Sequence, residues 1–180
     1  MSYNQDTIAA IATPNGRGGI GIIRVSGPAA VRIGLGLTNK VPEPRVATFS
    51  KFFGEANQAI DEGLLIYFRK PHSFTGEDLI ELQGHGGRVV MDMLLKRVIQ
   101  LGARQANPGE FSQRAFLNDK IDLTQAEAIA DLIDSASQEA ALGSIRSLQG
   151  EFSQKINSLL NKLIRLRVLI EADLDFPDDD

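Results

Sequence analysis

Gly16-Arg17-Gly18-Gly19-Ile20-Gly21-Ile22-Ile23-Arg24-Val25-Ser26-Gly27 is the stretch on which the fold turns. Its first six residues satisfy G-x-G-x-x-G, the fingerprint of dinucleotide-binding sheets. In those folds a helix opens on the last glycine and turns its free N–H groups toward a pyrophosphate. Here Gly21 is followed by Ile22, Ile23 and Val25, β-branched residues that favour an extended chain, so the stretch reads as a strand over Ile20 to Val25 and the nucleotide reading fails. Upstream, Ile8 to Thr13 is a second strand. The turn-rich link Pro14-Asn15-Gly16 between the two holds the Asn-Gly hairpin signal. Downstream, further strands are expected at Ala47 to Phe53, Leu64 to Phe68 and Leu79 to Gln83. Helices are expected at Ala29 to Leu35 and at Val89 to Leu101, the latter closed by Gly102. Strands that follow one another without an intervening helix argue against a doubly wound sheet. The expected class is α+β, a mixed β-sheet with helices packed on it.

The chain has 180 residues, a net charge of −4 and no Cys. A disulfide, a thiolate-ligated metal and a cysteine nucleophile are thereby excluded, and two histidines, His72 and His85, make a histidine-rich metal site unexpected. No basic-then-apolar leader opens the sequence and no apolar run approaches a membrane span, so the expected location is the cytoplasm, without membrane association. The charge is uneven: residues 1–120 hold 14 basic and 11 acidic side chains, residues 121–180 hold 5 and 12. Gly and Pro thin out at the same point, and a domain boundary is expected near residue 120. Beyond it, Ile145, Leu148, Phe152, Ile156, Leu159, Leu163, Leu166 and Ile170 recur in steps of three and four. That spacing predicts a long helix running to about Leu174 and stopped by Pro177 and the acid run Asp178-Asp179-Asp180. A shorter helix precedes it, opened by a capping box at Thr124-Gln125-Ala126-Glu127. Two helices cannot enclose a core, so the apolar stripe is expected to pack on another segment or another copy.

Charged groups also fall where strands need packing residues. With a period of two, Ile20, Ile22 and Arg24 share a face, and Leu79, Glu81 and Gln83 share a face opposite Ile80 and Leu82. Two accounts stand side by side. Arg24 and Glu81 can be a satisfied structural pair. Alternatively, a strand carboxylate can read an amidine-like edge by two parallel hydrogen bonds, as on a guanine or a pterin, while cations meet an anionic tail. Ser73-Phe74-Thr75-Gly76-Glu77-Asp78 and Gln83-Gly84-His85-Gly86-Gly87 frame these residues, either as ordinary turns or as places of close backbone approach to a flat ligand. His85 has no nucleophile placed beside it by any motif and reads as a loop residue. No G-x-x-x-x-G-K-[ST] loop occurs, so these 180 residues are not expected to bind or hydrolyse a nucleoside triphosphate through a P-loop, and no G-x-S-x-G elbow occurs either.

Three blocks then carry a family resemblance: D-T-I-A-A-I-A-T-P-N-G-R-G-G-I-G-I-I-R-V-S-G at Asp6 to Gly27, F-T-G-E-D-L-I-E-L-Q-G-H-G-G at Phe74 to Gly87, and P-G-E-F-S-Q-R-A-F-L-N-D-K-I-D-L-T-Q-A-E-A-I-A-D-L-I at Pro108 to Ile133. Together with the F-P-[DE]-[DE] element at Phe176 to Asp179, the chain closely resembles the N-terminal part of the bacterial tRNA modification GTPase family MnmE, also called TrmE. The resemblance implies a folate-binding and dimerising domain over 1–120, similar to the tetrahydrofolate domains of aminomethyltransferases. Residues 121–180 would then be the first helices of a helical domain, with the G domain and the C-terminal helices absent. It implies Arg24, Glu81 and Lys120 as contacts of 5-formyltetrahydrofolate or a related tetrahydrofolate, and no catalytic or metal-ligating residue here. It also implies a homodimer, a flavoprotein partner MnmG and tRNA as substrate, an aminomethyl-type group being added at carbon 5 of the wobble uridine. GTP, K+ and Mg2+ would belong to the missing G domain. Two other expectations are a stand-alone folate-dependent one-carbon transferase and a purely structural dimerisation or tRNA-docking module; the weak positive charge of residues 1–120 gives the latter little support.

Overall fold

The strand at the centre of the opening stretch is β2 (Gly21–Ser26), flanked by β1 (Ile8–Ile11) and β5 (Leu79–Gly84), both antiparallel to it. The computed structural model describes residues 6–14 and 16–175, and adds β3 (Thr48–Phe53), β4 (Ala59–Phe68) and β6 (Arg104–Gln105) to this nucleus. The strands form one six-stranded sheet in the order β3-β4-β5-β2-β1-β6. It is mixed because β6 runs parallel to β1 while the other pairs are antiparallel. The α+β class expected from the sequence is what the chain adopts.

Alternation along the strands sends Ile23 and Val25 of β2, Ile80 and Leu82 of β5, Leu65 and Tyr67 of β4 and Phe52 of β3 into one buried cluster. Helices α1 (Ala30–Thr38) and α2 (Arg88–Gln100) close over that face with Ile33 and Leu37, and with Met91, Leu94 and Val98. Each such side chain removed from water contributes roughly 1.5–3 kcal/mol, so this layer carries the stability of the domain. The opposite parity, including Ile22, Arg24, Glu81, Gln83, Leu64 and Ile66, is left half-buried on the other face.

The two Gly-rich stretches meet at the end of this sheet. Gly18 N–H donates to Gly86 O at 3.4 Å, and a Cβ on Gly86 would lie 2.5 Å from Ile20 O and 2.7 Å from Gly18 O. Gly86 is therefore required by backbone meeting backbone. Asn15 of the expected hairpin link lies outside the described residues.

The chain divides after Lys120 into two compact units. The first ends with α3 (Glu110–Leu117), an element the hydrophobic pattern does not announce because two of its three buried residues, Glu110 and Arg114, are charged. The second holds α4 (Leu123–Ile133), α5 (Gln138–Leu148) and α6 (Glu151–Asp175). Two expectations are corrected here. The capping box lies two residues earlier: Asp122 accepts from Gln125 N–H at 2.8 Å and Gln125 Oε1 accepts from Asp122 N–H at 2.9 Å. The single long helix is broken at Gly150, whose φ of +85° is a left-handed conformation that ends α5. The apolar steps of three and four continue across the break, which is why the spacing alone reads as one helix. Gln125 Nε2 donates to Leu148 O at 2.8 Å, which ties the start of α4 to the end of α5.

Alpha-6 has 25 residues, about 37 Å at 1.5 Å per residue. Phe152, Ile156, Leu159, Leu163 and Ile170 remain exposed along it, and Ala128 is the one buried apolar residue among the described residues of this unit. Phe176 to Asp179 and the terminal acid run lie outside the described residues. No helix among the described residues is long and apolar enough to cross a membrane.

Candidate ligand-binding site

Antiparallel register places Arg24 of β2 directly opposite Glu81 of β5, on the sheet face turned away from α1 and α2. Arg24 Nε donates to Glu81 Oε1 at 3.0 Å and Arg24 Nη2 donates to the same oxygen at 2.7 Å. Both bonds load one carboxylate oxygen, and no described residue donates to Glu81 Oε2. The pair is half-screened from water, with 31% of the Arg24 side chain and 15% of Glu81 exposed. Two aromatic rings close around it: the Arg24 guanidinium carbon lies 5.6 Å from the centre of Phe74 and 5.9 Å from that of Phe111. The pair expected from strand parity therefore exists, and it sits in an aromatic setting.

Lys120 is not joined to that pair. It is exposed, follows α3, and its N–H donates to Ala115 O at 2.8 Å. Its aliphatic stem lies over Gly76, in the same 73–78 loop that supplies Phe74; a Cβ on Gly76 would meet the Lys120 Cγ and Cδ at 3.3 Å. Asn118 Nδ2 donates to Thr75 O at 2.7 Å and fastens the end of α3 to this loop. The structure thus brings Arg24 and Glu81 together and sets Lys120 on the neighbouring loop.

What seats α3 is a charge network that sequence reasoning missed. Arg114, 8% exposed, donates through Nη1 to Glu77 Oε1 and Oε2, each at 3.1 Å, and to Asp6 O at 2.9 Å. Its Nη2 donates to Asp6 Oδ1 at 2.6 Å and to Glu110 Oε1 at 3.1 Å. Arg104 adds a fork onto Glu110, Nη1 to Oε2 at 2.8 Å and Nη2 to Oε1 at 2.5 Å, and also reaches Asp6. Hydrogen bonds from Arg104 are the chief reason the Glu110 carboxyl is held down to about 2. For Asp6, burial pushes the pKa up, but hydrogen bonds from Arg104 and Arg114 outweigh it and the net direction is down. Ser26 Oγ, buried on β2, donates to Glu77 Oε2 at 2.7 Å and lies 2.6 Å from Thr75 Oγ1, linking the network to the strand that carries Arg24. The visible signal was the Glu110/Arg114 pair at i, i+4 inside a matched block, a spacing that brings the two side chains together on a helix.

His85 is a structural clamp as well as a loop residue. Asp61 accepts its backbone N–H at 2.8 Å and lies 2.7 Å from its ring Nδ1. The hydrogen bond with Asp61 raises the His85 pKa above its ordinary value. A cleft of about 370 Å³ runs along this part of the open face, lined by Ile20, Phe49, Leu64, Gln83 and His85 among others. Another of about 290 Å³ lies between the Gly-rich loops and α2, lined by Thr13, Arg17, Arg88 and Met91 among others. None of Arg24, Glu81 and Lys120 lines either cleft.

Residues 7–120 match the family model described as GTP-binding protein TrmE N-terminus, and residues 123–180 match the model of the MnmE helical domain. The tRNA modification GTPase MnmE of Neisseria meningitidis serogroup A is 60% identical over 180 residues, 100% of this chain and 40% of the relative. That of Chromohalobacter salexigens is 59% identical over 178 residues, 99% of this chain and 39% of the relative. That of Pseudomonas syringae pv. tomato is 57% identical over 180 residues, 100% of this chain and 40% of the relative. The chain spans about 40% of the length of these curated relatives. On the two family matches, which follow one another along nearly all of its residues, the chain belongs to the MnmE (TrmE) family.

Proposed function

We propose that the 1–120 domain binds a tetrahydrofolate, 5-formyltetrahydrofolate or a close relative, through Glu81, Arg24 and Lys120, and serves as the one-carbon module of a tRNA-modifying GTPase. The observation that carries this reading is the Arg24–Glu81 pair facing each other on the sheet face away from α1 and α2, with one carboxylate oxygen to which no described residue donates. A pterin presents two adjacent N–H donors, and a carboxylate is the group that accepts them in parallel. Glu81 supports such recognition through Oε2 at once, and through both oxygens when Arg24 yields one of its two bonds to Oε1. Arg24 then faces the ring carbonyl or formyl oxygen as a fixed cation, and Lys120, on the adjoining loop, neutralises a carboxylate of the tail. When bound, the folate supplies the one-carbon unit; the residues named here hold and orient it and keep one face of it from water.

In this reading the domain also makes the constitutive homodimer. The relatives carry the name tRNA modification GTPase, which supports the reading that the whole protein acts in tRNA modification, in the cytoplasm, with the flavoprotein MnmG on the wobble uridine. GTP, K+ and Mg2+ are handled by parts of the parent outside these residues, which carry no P-loop. Calorimetric titration with 5-formyltetrahydrofolate tests the site. The chain should bind, and Glu81→Ala, shown folded by circular dichroism, should not. A parent that fails to bind, or a variant that binds as tightly, contradicts the reading. Sedimentation tests the dimer, and a clean monomer at micromolar concentration sinks that part.

A further inference from the structure

We infer that Phe74 and Phe111 are the aromatic walls of this ligand site, the surfaces against which the planar ring of the bound molecule stacks. The inference rests on the folate reading and extends it to two residues that stand inside the matched blocks but were not among the expected folate contacts. The first ground is what Arg24 finds around itself. A guanidinium is a flat, delocalised N–C–N group, the same arrangement as the amidine edge of a 2-amino-4-oxo pyrimidine. It meets a carboxylate oxygen at 2.7 Å and two aromatic rings at 5.6 and 5.9 Å, all within reach of attraction by the ring faces. A setting that suits one flat amidine-like group suits another.

The second ground is that the rings do little for the fold itself. Neither Phe74 nor Phe111 belongs to the apolar core or is among the partly buried side chains packed on it, and both are only half-buried. They come from elements far apart in sequence, the 73–78 loop and α3, and converge on a single charged residue. The third ground is that polar bonds hold both of them in place. Thr75, fully buried beside Phe74, is bonded to Ser26, and its carbonyl accepts from Asn118. Alpha-3, which carries Phe111, is fastened by Arg114 to Asp6 and Glu77. Aromatic walls held by a surrounding polar shell are pre-organised, which lowers the ordering cost of binding.

Arg24 must surrender at least one bond to Glu81 Oε1 before both carboxylate oxygens can read an amidine edge, and in turning toward the ring carbonyl it uncovers part of the two rings. The test titrates the whole 180-residue chain and its variants Phe74→Leu, Phe111→Leu, Phe74→Tyr and Phe111→Tyr with 5-formyltetrahydrofolate, with folding checked by circular dichroism. Leucine keeps an apolar side chain and removes the π face; tyrosine keeps both. Each Leu variant should weaken binding about tenfold, the scale of a lost ring–ring stack, while each Tyr variant stays within about threefold of the parent. Leu variants that bind like the parent, or Tyr variants as impaired as the Leu ones, overturn the inference and leave the folate reading standing. A parent that does not bind overturns the folate reading and this inference with it.

Discussion

Replacing Glu110 by Gln probes the charge network that seats α3 and, through it, Phe111 and Lys120. The Glu110 carboxylate, 7% exposed as a residue, accepts from Arg104 at 2.5 and 2.8 Å, from Arg114 at 3.1 Å and from the Asn107 N–H at 2.8 Å. These bonds, those of Arg104 foremost, hold its pKa at about 2 against an ordinary 4.5, despite the opposing effect of burial. A carboxylate whose folded-state pKa is depressed stabilises the fold above its unfolded pKa, and that contribution fades as pH falls through the interval toward the folded value. At about 1.4 kcal/mol per pH unit, the gap sets a ceiling of about 3 kcal/mol. The Arg104 side chain is 43% exposed, so solvent screens part of the attraction and a loss of about 2 kcal/mol at pH 7 is expected. Urea unfolding followed by tyrosine fluorescence reads this unit, because Tyr67 lies in its core. Glu110→Gln should be less stable than the parent at pH 7, and the difference should shrink to about half or less by pH 3. A difference that is absent at pH 7, or as large at pH 3, would refute the reasoning.

Gly86→Ala should destabilise the domain by about 2 kcal/mol or more, since its Cβ would press on the carbonyls of Ile20 and Gly18; an unchanged urea midpoint would show that the two loops can part. His85 should titrate above the ordinary 6.5, chiefly because of its hydrogen bond with Asp61, and Asp61→Asn should lower its pKa. With a raised folded pKa, the stabilisation from this pair is present below pH 6.5 and fades as pH climbs through the folded value. Proton NMR reads the imidazole directly, and equal titration of His85 in parent and variant would contradict the pairing.

The sheet was legible because period-two alternation at Ile22 to Val25 and Ile80 to Leu82 registers burial on one face, and because Gly21 is followed by β-branched residues where a helix would have begun. The same parity exposed Arg24 and Glu81 as charges out of place, and the antiparallel register sets them opposite each other. What hid from the sequence was built from polar tertiary contacts. Strand β6 is two residues long and has no period to read. Helix α3 buries Glu110 and Arg114 as an i, i+4 pair, but Asp6 and Glu77, which bind Arg114, lie far away in sequence, so the local spacing does not announce the network. The break at Gly150 was invisible because one glycine in a left-handed turn leaves the three-and-four spacing of apolar residues almost intact. Lys120 came from family resemblance alone; no pattern in its own neighbourhood pointed to it, and the fold lays its stem over Gly76.

Whether Glu81 reads an amidine edge can be decided by pairing Glu81→Gln with an analogue of 5-formyltetrahydrofolate that lacks the 2-amino group, each combination titrated by calorimetry. A hydrogen bond to a charged carboxylate contributes about 1.5–3 kcal/mol, so the parent should bind the analogue roughly 10- to 100-fold more weakly than the full ligand. Glu81→Gln keeps one acceptor oxygen but loses the charge, so its loss between the two ligands should shrink to that of a neutral hydrogen bond, about 2- to 10-fold. Equal binding of both ligands by the parent, or losses that add in full, would contradict the assignment of Glu81 to the pterin edge.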